Sequence, residues 1–161
     1  MKILVTAGPT REAIDPVRYI SNRSSGRMGY AVAAAALERG HDVVLISGPV
    51  AIPPPAGARL ISVVSAAEMQ AALEAWFGWC EALVMCAAVA DWRPRRPRTL
   101  KIKKRGAPPV LHLARTPDLL KRVSARKGER ILVGFAAETG PGFLKEAVRK
   151  RRQKRCDLVV G

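Results

Sequence analysis

The chain is 161 residues long, enough for one domain that buries a core of its own without disulfide or metal staples. Its 48% apolar and 25% charged residues exclude wholesale disorder, collagen-like repetition and low complexity. With 28 Lys+Arg against 13 Asp+Glu the formal charge is +15, a field that attracts polyanions: nucleic acid, an anionic membrane or a phosphorylated small molecule.

The β-branched and aliphatic run Ile3 to Thr6 predicts a strand. Ala7 to Ser25 then forms a connection much longer than a compact strand-to-helix turn, which marks it as a functional loop. An Ala-rich helix is expected from Gly26 to Arg39, stopped by Gly40, with strands at Asp42 to Ser47 and Arg59 to Val63. Ser65 and Glu68 make a capping box that opens a helix running toward Trp79. The strand at Ala82 to Cys86 lies in a nine-residue apolar run ending at Ala90, well short of the roughly 20 residues a membrane-spanning helix needs.

Next comes the arm Arg93 to Arg105, with eight cations in 13 residues and no acid; Pro94, Pro97 and Pro108 disfavour regular structure, so 93–108 is read as a mobile arm or lid. Thr116 and Pro117 are expected as N-cap and first residue of a helix through about Arg126. A strand at Ile131 to Phe135, a helix at Phe143 to Arg155 and a strand at Asp157 to Val160 complete the chain. Alternation of apolar strands with helices predicts a Rossmann-like α/β fold, a mostly parallel sheet flanked by helices, in a single domain over 1–161.

Four predicted strands end in small residues, at Ala7-Gly8, Gly48, Ala87-Ala88 and Ala136-Ala137. Ligands of open parallel sheets bind outside the carboxyl ends of the strands, where small residues let backbone approach a ligand, although the same residues also suit tight turns. Ser24, Ser25 and Gly26 lead into the Ala-rich helix, where free N–H groups and the dipole favour a phosphate; a plain serine N-cap explains them equally well. A P-loop pattern, a hydrolase elbow and H-E-x-x-H spacing are all missing, so any metal is expected to arrive as Mg²⁺ on phosphates. Cys80, Cys86 and Cys156 form no C-x-x-C and are expected as reduced, mostly buried thiols. With neither a membrane span nor a signal-peptide pattern, a cytoplasmic location is expected.

The segments V-T-A-G-P-T-R-E (Val5 to Glu12), D-P-V-R-Y-I-S-N (Asp15 to Asn22), S-S-G-R-M-G (Ser24 to Gly29), C-A-A-V-A-D-W (Cys86 to Trp92), K-I-K-K (Lys101 to Lys104) and G-F-A-A-E-T (Gly134 to Thr139) together resemble phosphopantothenoylcysteine synthetase of the bacterial, CTP-using type. The resemblance implies a ligase of coenzyme A biosynthesis. The carboxylate of 4′-phosphopantothenate attacks the α-phosphorus of CTP, releasing pyrophosphate, and the amine of L-cysteine then displaces CMP from the acyl-cytidylate. It further implies that Asn22 holds the acyl-cytidylate and that Lys101 stabilises charge at the α-phosphorus. Gly8, Ser24, Ser25, Gly26, Asp91, Ala114, Arg115, Thr116, Pro117 and Phe135 would belong to the nucleotide site, Lys150 and Lys154 would clamp phosphate, and Arg18 and Ala87 would lie near the phosphopantothenate.

Mg²⁺, a homodimer and a decarboxylase supplied by a separate polypeptide are implied as well, and further strands that the family carries beyond Val160 are expected to be absent. Two other readings stay open. One is a nucleic-acid-binding module built on the two basic segments, which hold 15 of the 28 cations but lack interleaved aromatics. The other is an inactive remnant that still binds nucleotide.

Overall fold

The structure, a computed structural model, describes residues 1–104, 108–137 and 142–161. In chain order the elements are β1 (Lys2–Ala7), β2 (Arg11–Ala13), β3 (Tyr19–Ser21), α1 (Arg27–Glu38), β4 (Asp42–Ser47), β5 (Arg59–Ser62), α2 (Ala66–Trp76), β6 (Ala82–Met85), β7 (Trp92–Pro94), β8 (Leu113–Arg115), α3 (Leu119–Ser124), β9 (Ile131–Phe135), α4 (Phe143–Gln153) and β10 (Leu158–Val160). Six of the strands form one parallel sheet in the order β10-β9-β6-β1-β4-β5. The chain builds outward from β1 through β4 to β5, then crosses back to β6 on the other side. The order therefore reverses between β1 and β6, as in a Rossmann-like fold.

β1 and β4 are buried on both faces, which is why they read as unbroken apolar runs. Alternate side chains feed two cores. Leu4, Val44 and Ile46 join Leu83 and Leu132 beneath Met69, Leu73 and Phe77 of the α2 segment and Leu119, Leu120 and Val123 of α3. Val5, Ala7, Val43 and Leu45 face Tyr30, Ala33 and Ala36 of α1. Ser65 caps α2 as its spacing predicts: its Oγ accepts from Glu68 N–H at 3.2 Å, and Glu68 Oε2 accepts from Val64 N–H at 2.9 Å.

Three departures from the sequence reading matter for the site. The long connection after β1 holds an antiparallel hairpin, β2 with β3. It is braced by buried Glu12, whose Oε1 accepts from Ala66 N–H at the start of α2 at 2.8 Å. The proline-rich arm has regular structure at its base, where β7 pairs antiparallel with β8; residues 105–107 of the arm lie outside the described residues. Thr116 is not a helix N-cap. Asp118 fills that position, its Oδ1 accepting from Lys121 N–H at 2.9 Å, so Pro117 precedes α3 instead of opening it, while Thr116 N–H pairs with the Asp91 carbonyl at 2.8 Å as β8 ends.

Candidate functional site

β6 and β9 run side by side, and beyond their carboxyl ends opens a cleft of about 520 Å³. Met85 and Ala87 form its floor on the β6 side and Phe135 on the β9 side, while Asp91 and Trp92 enter from the chain leaving β6. Arg115, Thr116 and Pro117 close it from the end of β8, and Lys150 and Lys154 reach in from α4. Arg115 is steadied by stacking over the Trp92 ring, 5.4 Å from its centroid, which ties the two strands of the ribbon together at the cleft mouth.

The two lysines are held differently. Lys150 donates its ammonium to the Phe135 carbonyl, and Lys154 is paired with Asp118 across the cleft. Burial lowers the Lys154 pKa below the usual lysine value, while the fields of Cys156 and Asp91 oppose the shift. A cation that folding has already stripped of part of its water interacts more strongly with an incoming anion than a hydrated surface lysine does. Among the described residues, Thr116 Oγ1 is the buried side-chain polar atom that lacks a hydrogen-bond partner. An orphan hydroxyl in a cleft wall marks a place where a ligand atom can complete the hydrogen bonding.

Asn22 stands at the end of β3, where its Nδ2 donates to the carbonyl of Val89, a residue of the cleft wall, at 3.0 Å. The hairpin is fixed there by Thr10, whose carbonyl accepts from Ser21 Oγ at 2.7 Å and whose Oγ1 accepts from Ala90 N–H at 3.0 Å. Arg18 is committed to protein partners: Nε and Nη2 pair with Asp15, and Nη2 also donates to the Ile102 carbonyl at 2.9 Å. Lys101 is exposed on the arm, outside the cleft wall, and Ala114 sits one residue behind the wall, paired with Arg93.

Gly8, Ser24, Ser25 and Gly26 gather elsewhere, where β1 meets the start of α1, and none of them lines the cleft. Gly26 is the N-cap of α1 without any side-chain cap bond, and Ser24 Oγ accepts only a 3.4 Å contact from Gly26 N–H. Both glycines have positive φ (+71° and +76°), and a Cβ on either would come within 3 Å of the Val50 side chain. Packing alone thus requires glycine at both positions.

Glu138 and Thr139, the end of the G-F-A-A-E-T segment, lie outside the described residues. Asp118 and Asp15 had no place in the sequence-based site. The spacing Asp118 to Lys121 is a cap signal that the preceding Thr-Pro obscures, and nothing local marks Asp15 as reaching a segment 87 residues away. The three cysteines are free; Cys80 and Cys156 are buried, and burial pushes the Cys86 thiol up to about 12. Among the described residues no helix is long and apolar enough to cross a membrane.

The coenzyme A biosynthesis bifunctional protein CoaBC of Bacillus subtilis (strain 168) is 46% identical over 159 residues, covering 98% of this chain and 39% of that protein. The CoaBC of Mycobacterium tuberculosis (strain ATCC 25618 / H37Rv) is 48% identical over 170 residues, covering 99% and 41%. The chain thus spans about two fifths of the length of these curated relatives. A crystal structure of the C-terminal domain of CoaBC superposes with a TM-score of 0.86 at 40% identity, over 98% of this chain and 74% of that one. The family described as DNA/pantothenate metabolism flavoprotein C-terminal domain matches residues 1–161, and the chain belongs to it.

Proposed function

We propose that residues 1–161 act as a CTP-dependent phosphopantothenate–cysteine ligase, joining 4′-phosphopantothenate to L-cysteine through an acyl-cytidylate. The cleft carries this reading. Seven residues that the family resemblance assigns to the nucleotide, Asp91, Arg115, Thr116, Pro117, Phe135, Lys150 and Lys154, come from four separate stretches of chain and meet on its wall. Relatives named for coenzyme A biosynthesis support the same pathway.

In the first step a carboxylate oxygen of phosphopantothenate bonds to the α-phosphorus of CTP while the bond to the β-phosphate oxygen breaks, and pyrophosphate leaves. In the second the cysteine amine bonds to the acyl carbon, CMP departs with the electron pair of the acyl–oxygen bond, and the amine loses a proton. Positioning and charge stabilisation dominate such transfers. Lys150, Lys154 and Arg115 offset triphosphate charge, Phe135 and Ala87 give an apolar floor, and Asn22 holds the acyl-cytidylate from the rim. Lys101 meets charge developing at the α-phosphorus, and the arm 93–108 acts as a lid that keeps water from the activated acyl group. Among the described residues no three His, Cys, Asp or Glu side chains stand together as a metal cage. The triphosphate oxygens would therefore carry any Mg²⁺, which would offset phosphate charge there. The reading includes a homodimer and leaves decarboxylation of the product to another domain or polypeptide.

The test is turnover with 4′-phosphopantothenate, Mg²⁺ and either CTP or ATP, with and without L-cysteine, following pyrophosphate and nucleoside monophosphate by rapid quench. Cysteine-dependent product with CTP is expected, and Lys101→Gln should slow the pyrophosphate burst by at least about 100-fold without unfolding the protein. A normal burst in that variant removes Lys101 from the chemistry, and a wild type inert with both nucleotides overturns the ligase.

A further inference from the structure

We propose that Asp15 and Arg18 clamp the backbone of Ile102 and are thereby positioning residues for its neighbour Lys101, a role that rests on Lys101 acting in the proposed ligation. Asp15 lies in the turn between β2 and β3 and is only 3% exposed. Its Oδ1 accepts from Val17 N–H and Arg18 N–H, both at 2.9 Å, which is all that an Asx-type turn needs. Its Oδ2 faces a different task. It accepts from Ile102 N–H at 3.1 Å and from Arg18 Nε at 3.0 Å, with Arg18 Nη2 on the same oxygen.

Arg18 Nη2 completes the device by donating to the Ile102 carbonyl at 2.9 Å, so one ion pair engages both polar groups of the Ile102 backbone. A third tie sits next to it, Arg98 N–H to the Ile14 carbonyl at 2.8 Å. The Arg18 guanidinium, assisted by the amides of Val17, Ile102 and Arg18 itself, holds the Asp15 carboxyl far below the usual carboxylate range despite desolvation, so the clamp stays charged at any working pH.

The turn's place in the chain gives the clamp a catalytic meaning. β3 (Tyr19–Ser21) links Arg18 to Asn22 at the cleft rim, and Lys101 directly precedes the clamped residue. The turn therefore fixes the backbone beside Lys101 and opens the strand that leads to Asn22, a strand whose own end Thr10 holds. Lysine is a mobile point charge on a flexible stem, and anchoring its main chain removes much of the freedom that would dilute its effect at the α-phosphorus. Arg18, which the family resemblance places near phosphopantothenate, also holds the arm.

Two measurements on the intact protein decide this. Asp15→Asn keeps the shape but removes the charge, and sets an amide either against the Ile102 N–H or against the turn. Hydrogen exchange without ligand should show the Ile102 amide protected in the wild type and exchanging at least about 10-fold faster in the variant, with the β1 and β4 amides unchanged. In rapid quench the variant should lose about 100-fold in the rate of pyrophosphate release while KM for CTP stays within about threefold, and Asp15→Asn combined with Lys101→Gln should be no slower than Lys101→Gln alone. Should Asp15→Asn fail to fold, Arg18→Gln takes its place, since it leaves the Oδ1 turn bonds intact.

Wild-type turnover in a folded variant, or losses that multiply in the double variant, overturns the positioning role. An unprotected Ile102 amide in an active wild type overturns the clamp and leaves the ligase standing. A protected amide in a wild type inert with CTP and cysteine overturns the ligase, and with it the purpose assigned to the clamp.

Discussion

The carboxyl ends of β1 and β4 and those of β6 and β9 both finish in small residues, and the fold uses them in opposite ways. At β1 and β4 the space is filled by protein. Gly8 and Gly26 face each other beneath Val50, and Gly48 lies so close to Pro9 that a Cβ would sit 1.9 Å from the Pro9 carbonyl oxygen. At β6 and β9 the space stays open: β7 and β8 form a separate ribbon instead of joining the sheet, and α4 supplies the long side chains of Lys150 and Lys154 to the cleft wall. A small residue at a strand end marks close approach, and only the partner's identity decides whether that approach is structural or chemical.

Gly48→Ala should break the closed side, with the largest effect of a methyl added at any described glycine. The obstacle is backbone, and β4 is pinned on both sides, by Gly48 N–H to the Ala7 carbonyl at 2.9 Å and by Val63 N–H to the Ser47 carbonyl at 2.9 Å. Overpacking against main chain that cannot yield should cost about 3 kcal/mol, read as a lower denaturation midpoint with an unchanged slope. A variant as stable as the wild type would mean that the two sides are not packed differently at all.

The same contrast explains what the sequence could and could not reveal. The inner strands of the sheet were legible because burial leaves an apolar run with sharp ends: β4, buried on both faces, starts and stops where its run does, and so does β9, whose Leu132 and Gly134 are buried while Ile131 is exposed. The three-residue strands β2, β3, β7 and β8 were not, since each is defined by a partner in a ribbon and not by its own side chains. Arg93 and Pro94 even argue against a strand until Leu113 and Ala114 lie opposite them. Periodicity and small residues pointed to the carboxyl edge of the sheet, where the cleft opens, and could not tell the packed end of β1 from the open end of β6. Most of the cleft residues were named through the family resemblance; Asp118 was missed because the preceding Thr-Pro obscures its local cap signal, and Asp15 because its partner Ile102 is distant in the chain.

Acid should sharpen the comparison, because the open side is joined by carboxylates. Asp157 pins β10 to β9: its Oδ2 accepts from Leu132 N–H at 2.7 Å and its Oδ1 from Lys127 Nζ at 2.5 Å. The Leu132 amide first, and then Lys127, hold this carboxyl below its ordinary range, and Arg18 does the same to Asp15. Such groups take up protons more readily in the unfolded chain, so their stabilisation is complete above the ordinary carboxylate value of about 4 and is lost as pH falls through the depressed folded values. Thermal melts should therefore show Tm falling below about pH 4, with a shallower fall in Asp157→Asn. Hydrogen exchange should open β9 and β10 before β1 and β4. Simultaneous loss of all four strands would show that the carboxylate pins do not set local stability.

The smallest change in stability is expected at the residue whose hydroxyl the fold leaves unanswered. Thr116→Val preserves volume and removes a buried Oγ1 that has no partner, so the folded protein should be unchanged or more stable by about 1 kcal/mol. Binding should move the other way. A ligand group that completes the hydrogen bonding of that hydroxyl loses it in the variant, and a weakening of CTP binding of about 10-fold corresponds to about 1.4 kcal/mol. Stability and affinity measured on the same preparation thus separate two explanations of an orphan hydroxyl. Opposed signs mark Thr116 as a ligand contact, whereas a valine variant that is less stable and binds CTP as tightly as the wild type would make the hydroxyl part of the scaffold and shift the nucleotide toward Asp91 and the two lysines.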